Sequence, residues 1–143
     1  VKYRTQVNAV HPSQILSLLP LEEALDILAT EKDNYDRCLM QSSNLWIARV
    51  DGKVICFWGL APPTILSDSA HLWLYTVEAI KGHEFAFVRR SQIEIEEMLK
   101  LYPTITGYTD AHRTKAIRWL KWLGASFGEP EGQMIPFVIG RKQ

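Results

Sequence analysis

Two adjacent residues constrain this chain more than any others: Asp51 and Gly52. An Asp-Gly pair readily adopts the positive φ angles of a tight two-residue turn, and here it separates two runs rich in aromatic and β-branched residues, Leu45 to Val50 and Lys53 to Leu60. The pattern predicts a β-hairpin. His71 to Ile80 then reads as a third long strand, with Trp73, Tyr75 and Val77 on one face and Leu72, Leu74 and Thr76 on the other. Apolar residues on both faces predict a central strand covered on both sides.

Helical patterns surround these strands. Leu21, Leu25 and Leu28 recur at i, i+4 and i+7 and form one apolar stripe, and Glu22 and Glu23 suit a helix N-terminus, so a helix is expected from about 20 to 31. A short helical pattern precedes it within 8–19, a strand is expected over Lys2 to Val7, and a further helical piece runs from Asp33 to Gln41. Pro62 and Pro63 mark 61–70 as a loop. A helix is expected from about Ala86 to Leu101, with Val88, Ile95, Leu99 and Tyr102 sharing a face and Arg90 with Glu94, and Glu96 with Lys100, as i,i+4 pairs. Ile105 to Thr109 reads as a strand, Thr114 to Leu123 as a helix capped by Gly124, and Ala125 to Phe127 and Met134 to Ile139 as two closing strands.

At 143 residues the chain is expected to form a single α/β domain over 1–143, with a mixed sheet between helices. Sixteen basic residues balance sixteen acidic ones, so nothing in the net charge indicates nucleic acid. Cys38 and Cys56 have no short-spaced partner and read as core or boundary residues, and the four histidines have neither an i,i+4 partner nor a nearby cysteine pair, so no metal site is expected. No apolar run approaches the roughly 20 residues that span a bilayer, and Val1 to Gln6 lacks a signal-peptide core, so neither a membrane nor export is expected. There is no Gly-x-Ser-x-Gly elbow and no Walker loop.

This order of elements, with the hairpin and with Ala116 eight residues before Gly124 in Leu123-Gly124-Ala125-Ser126-Phe127, resembles the Gcn5-related N-acetyltransferase (GNAT) fold. The resemblance implies a twisted mixed sheet flanked by helices on both faces. A narrower one covers about 12–138 and rests on Trp46, His71-Leu72-Trp73-Leu74 and the run from Ala116 to Gly124, including Arg118, Trp119, Lys121 and Trp122. It is to a small GNAT-like family of short-tailed bacteriophages that includes internal virion protein A of the T7-like phages. What it implies is a phage origin, a place in the host cytoplasm or the virion, and contact with phage structural or other proteins during particle assembly.

Acetyl-CoA binding in the GNAT fold depends on a Gln/Arg-x-x-Gly-x-Gly/Ala loop, whose glycines let backbone N–H groups approach the pyrophosphate beside a helix N-terminus. The corresponding stretch is Ala79-Ile80-Lys81-Gly82-His83-Glu84-Phe85-Ala86, with one glycine kept and a carboxylate, Glu84, where phosphate charge would lie. If the cofactor binds, Lys81, Gly82, His83 and Ala86 are the residues to hold it; otherwise the stretch is an ordinary strand-to-helix turn. Transfer also needs a base and an acid. The tyrosine that many family members carry four residues before the terminal-helix glycine is replaced by Leu120, which donates no proton. Tyr108 or Tyr75 are the substitutes, against a bland reading of both as core residues. Glu78 is the candidate base, against a solvated or ion-paired carboxylate. Asp110 and His112 form a second pair that reads equally as a helix cap.

The last helix carries Lys115, Arg118 and Lys121 opposite its apolar arc of Ala116, Trp119, Leu120 and Leu123, with Trp122 beside them. Arg118, Lys121 and Trp122 are candidate partner-binding residues, and the bland alternative is a solvated face with Trp122 tucked against a strand. The first expectation is therefore a GNAT-like accessory protein that acts by contact and uses no cofactor. The alternative is an acyl-CoA-dependent N-acetyltransferase using acetyl-CoA, with Glu78 and Tyr108 as its chemistry.

Overall fold

The computed structural model describes residues 4–140. Its strands form one mixed seven-stranded sheet flanked by helices, in the order Thr5–Ala9, Asn44–Val50, Lys53–Ala61, Ser69–Thr76, Thr104–Asp110, Met134–Gly140 and Ser126–Phe127. The chain forms two compact units: residues up to 61 with 73–87, and residues 62–72 with 88 onward.

The first unit opens with β1 (Thr5–Ala9); the earliest residues of the strand expected there lie outside those described. A 3-10 turn at Pro12–Gln14 leads into α1 (Ile15–Leu18), α2 (Leu21–Thr30) and α3 (Lys32–Gln41). β2 (Asn44–Val50) and β3 (Lys53–Ala61) form the expected hairpin, with Asp51 at φ 51° and Gly52 at φ 83°. Arg4 and Asp51 tie β1 to this turn through Arg4 N–H to Asp51 Oδ1 (3.0 Å) and Asp51 N–H to Arg4 O (2.9 Å). A Cβ on Gly52 would meet nothing within 4 Å. Gly52→Ala should thus cost only its backbone strain, about 1 kcal/mol, read as a lower denaturation midpoint at unchanged slope.

The hairpin register shifts at Ala48/Arg49, where Ala48 faces Cys56 and Arg49 faces Val54, leaving Ile55 as the extra residue. Its carbonyl is satisfied by the Val77 N–H at 2.9 Å. Ile15, Ala24, Ile27 and Tyr35 from the helices pack with Ile47, Phe57 and Trp73 into one core. The stripe of Leu21, Leu25 and Leu28 is not part of it: Ala24 and Ile27 are the buried residues of α2, and the three leucines face solvent.

The second unit contains the start of β4 (Ser69–Thr76), most of α4 (Glu84–Leu101), β5 (Thr104–Asp110), α5 (Thr114–Trp122), β6 (Ser126–Phe127) and β7 (Met134–Gly140). β5 pairs in parallel with β4 from Ser69↔Thr104 to His71↔Thr106, and antiparallel with β7 from Thr104↔Gly140 to Asp110↔Met134. Leu120 is buried, and Trp119 pins α5 to α4 by donating its indole N–H to Ser91 Oγ (2.9 Å), which itself donates to Val88 O (2.7 Å). Arg90 and Glu94 pair at 2.9 Å as expected, whereas Lys100 bonds Glu97, one residue from the expected Glu96.

β4 ends four residues earlier than the alternation predicts. Glu78–Ile80 is a 3-10 turn, closed by Ile80 N–H to Val77 O (2.9 Å) and Lys81 N–H to Glu78 O (3.1 Å). The side-chain pattern continues the strand, but the Val77 amide is directed to Ile55 and the chain turns.

Candidate functional site: the turn from β4 to α4

The turn from Val77 to Phe87 lies within the first unit and holds all four candidate cofactor residues, Lys81, Gly82, His83 and Ala86. Glu78 stands in the 3-10 turn, two residues past β4, with its side chain exposed. Its carboxylate accepts from Lys81 Nζ at 2.9 Å, and its backbone N–H donates to Glu23 Oε1 of α2 at 2.9 Å. Hydrogen bonding to Glu78 and the charge of that carboxylate raise the Lys81 pKa. Glu78 is thus ion-paired in a turn. The ion pair engages Oε1 alone.

Gly82 takes φ 88°, and its N–H donates to Glu84 Oε2 at 2.9 Å. The amide of His83 donates to Ile80 O at 2.9 Å. Every backbone N–H from Ile80 to His83 therefore has an acceptor inside the turn. Glu84 does more than place a repelling charge near a phosphate position: its carboxylate occupies the amide that a phosphate oxygen would take. His83 and Ala86 are half-buried, while Phe85 is exposed and does not fill the turn.

Tyr108 belongs to the second unit, on β5 opposite Pro136, with its ring 6.0 Å from that of His71. Burial lowers the His71 pKa. Tyr75, the other substitute acid, accepts a hydrogen bond from Asn34 Nδ2 at 2.8 Å and stacks on Phe57 with centroids 5.2 Å apart. Tyr75 packs half-buried against the core with its hydroxyl engaged, and desolvation raises its pKa. Asp110 Oδ1 accepts from the His112 N–H at 2.8 Å and its carbonyl from the Arg113 N–H at 3.0 Å, which makes the pair a turn before α5.

Arg118, Lys121 and Trp122 are exposed together on α5. Cys56 is buried in β3, and burial pushes its thiol up to about 12. Among the described residues no group of three or more His, Cys, Asp or Glu is placed to hold a metal ion, and no helix is long and apolar enough to cross a membrane.

Sequence reasoning missed two contacts of the turn. Glu23 reaches the Glu78 amide across 55 positions, which no local pattern encodes. The bond from Gly82 to Glu84 was open to inference, since an acid two residues after a positive-φ glycine and at the start of a helix sits within reach of that amide.

No family model matches the chain, and no curated protein matches it. Its backbone does match solved structures over nearly its full length. The ribosomal-protein-S5-alanine acetyltransferase of Vibrio fischeri superposes with a TM-score of 0.65 at 14% identity, covering 99% of this chain and 96% of that one. An acetyltransferase of Streptococcus agalactiae gives 0.66 at 16%, covering 95% and 98%. The N-acetyltransferase PseH of Campylobacter jejuni, in complex with acetyl coenzyme A, gives 0.59 at 14%, covering 97% and 100%. At such identities the likeness speaks for architecture alone: this chain has the GNAT fold.

Proposed function

We propose that this chain is a GNAT-fold accessory protein that acts by contact with other proteins and not by acetyl transfer. The observation that carries this reading is the closed turn at Ile80 to His83, where Glu84 takes the Gly82 amide and leaves no spare N–H in that segment for a pyrophosphate. The buried Leu120 supports it, because leucine has no proton to give a departing thiolate. Particle assembly in a short-tailed phage is the setting that the Ala116 to Gly124 pattern favours.

A second reading, an acyl-CoA-dependent N-acetyltransferase, is favoured by a different observation: the structures it superposes on are acetyltransferases, one of them holding acetyl coenzyme A. These comparisons weigh for acyl-CoA chemistry and give no support to a phage setting. In this reading Lys81, Gly82, His83 and Ala86 hold the cofactor after Glu84 moves aside, and Glu78 is the base.

Calorimetric titration of the native protein with acetyl-CoA and with CoA separates the two. The first reading expects no saturable binding tighter than roughly millimolar, equivalent to about 4 kcal/mol. Saturable micromolar binding would make the acetyltransferase the better reading.

A further inference from the structure

We propose that copies of this chain associate weakly by seating the leucine stripe of α2 from one copy in a groove beside α5 of another. The stripe is the first observation. Leu21, Leu25 and Leu28 are 73%, 55% and 40% exposed, whereas the buried face of α2 is Ala24 and Ile27. Three leucines at i, i+4 and i+7 on the solvent side make a ridge of the kind that fills a groove on another surface.

The groove is the second observation. Within the second unit a cavity of about 350 Å³ has Ile95 and Leu99 of α4, Trp122 and Leu123 at the end of α5, and Ile139 of β7 in its lining. Trp122 is 52% exposed at its edge. A half-exposed tryptophan beside an apolar hollow is the residue type that anchors protein contacts.

Charge selects between the ways in which two copies could meet. α2 carries Glu22, Glu23 and Asp26 and no basic residue, and α5 carries Lys115, Arg118 and Lys121 and no acidic one. Among the described residues none of those three bases is in an ion pair. Pairing α2 with α2 sets acid against acid, and pairing α5 with α5 sets base against base. Only α2 against α5 of the second copy brings opposite charges to the flanks of an apolar seam. The groove has one acid in its lining, Glu96, and its Lys100 is bonded to Glu97, so the attraction comes from α5. Three leucines bury little area, which places the contact at the weak end of specific interfaces. Such association is independent of whether a cofactor binds.

Sedimentation velocity on the whole chain, from about 10 µM to about 1 mM, tests this. Mass should rise with concentration, and association should weaken about tenfold between low salt and about 0.5 M NaCl. Leu25→Glu on the ridge and Trp122→Glu at the groove should each abolish self-association. Mixed, they should recover a one-to-one pair, because the first keeps an intact groove and the second an intact ridge. Glu22→Lys with Asp26→Lys provides a second ridge variant at solvent-facing positions, with circular dichroism to establish that each variant is folded. A protein that stays monomeric throughout overturns the proposal. So does loss of association in Leu25→Glu without loss in Trp122→Glu, which would mean pairing of α2 with itself, and so does a mixture that fails to pair.

Discussion

Phe57→Ala is expected to cost about 3–5 kcal/mol of stability, the range for emptying a buried aromatic site. Phe57 is fully buried in β3. Its ring stacks on Tyr75 with an interplanar angle of 3° and meets Trp73 and Tyr35 edge-on, with centroids 6.0 and 6.3 Å away. These partners come from β4 and α3, so one ring holds two strands and a helix together. The change loses both the transfer free energy of the ring and the contacts around the void, because the neighbouring aromatic rings are themselves held. Trp73 donates to Ser42 Oγ at 2.7 Å and Tyr75 accepts from Asn34, so neither ring is free to collapse inward. Against a typical total of about 5–15 kcal/mol this is a large fraction. Urea denaturation should show a much lower midpoint at unchanged slope. Phe57→Leu should lose only about 1–2 kcal/mol, since most of the volume is kept. A loss below about 1 kcal/mol for Phe57→Ala would mean that the first unit is not organised around this ring.

The hairpin was legible because Asp51-Gly52 is a local signal with a local cause: the φ angles that the turn needs belong to those two residues. α5 was legible for the same reason, with Gly124 at φ 95° just past its end. The end of β4 was not, since the alternation of Trp73, Tyr75 and Val77 continues smoothly into a turn set by a distant acceptor, the carbonyl of the extra residue Ile55. Nor was the buried face of α2. Ala24 and Ile27 join Ile15 and Tyr35 in the core while the three leucines stay outside. Periodicity finds a helix but does not choose between adjoining apolar faces. The candidate site was legible as a position in the fold. Its state, closed by Glu84 and with Glu78 held by Lys81, depends on side-chain geometry that spacing alone leaves open.

Glu84→Gly should raise the affinity for CoA by about ten- to a hundredfold, which corresponds to roughly 1.4–2.8 kcal/mol. In the native turn a phosphate oxygen must first displace Glu84 Oε2 from the Gly82 N–H and then lie beside the carboxylate it has displaced. Glu84 is exposed, so repulsion between unit charges about 4 Å apart amounts to only about 1 kcal/mol in a water-like dielectric. Restoring the freed amide to a phosphate acceptor adds a charge-assisted hydrogen bond, reduced at a wet site to the lower part of about 1.5–3 kcal/mol. The variant also loses an acid from the first turn of α4, a cost to the helix of about 0.3–1 kcal/mol that should appear in the melting temperature and not in the affinity. Glu84→Gln separates the two contributions: it keeps an oxygen able to accept from Gly82 while removing the charge, so its affinity should lie between those of the native protein and Glu84→Gly. Titration calorimetry of all three proteins with CoA reads the order directly. If neither variant gains, Glu84 is not what closes the turn to phosphate; if Glu84→Gln gains as much as Glu84→Gly, charge alone is the barrier and the hydrogen bond to Gly82 is incidental.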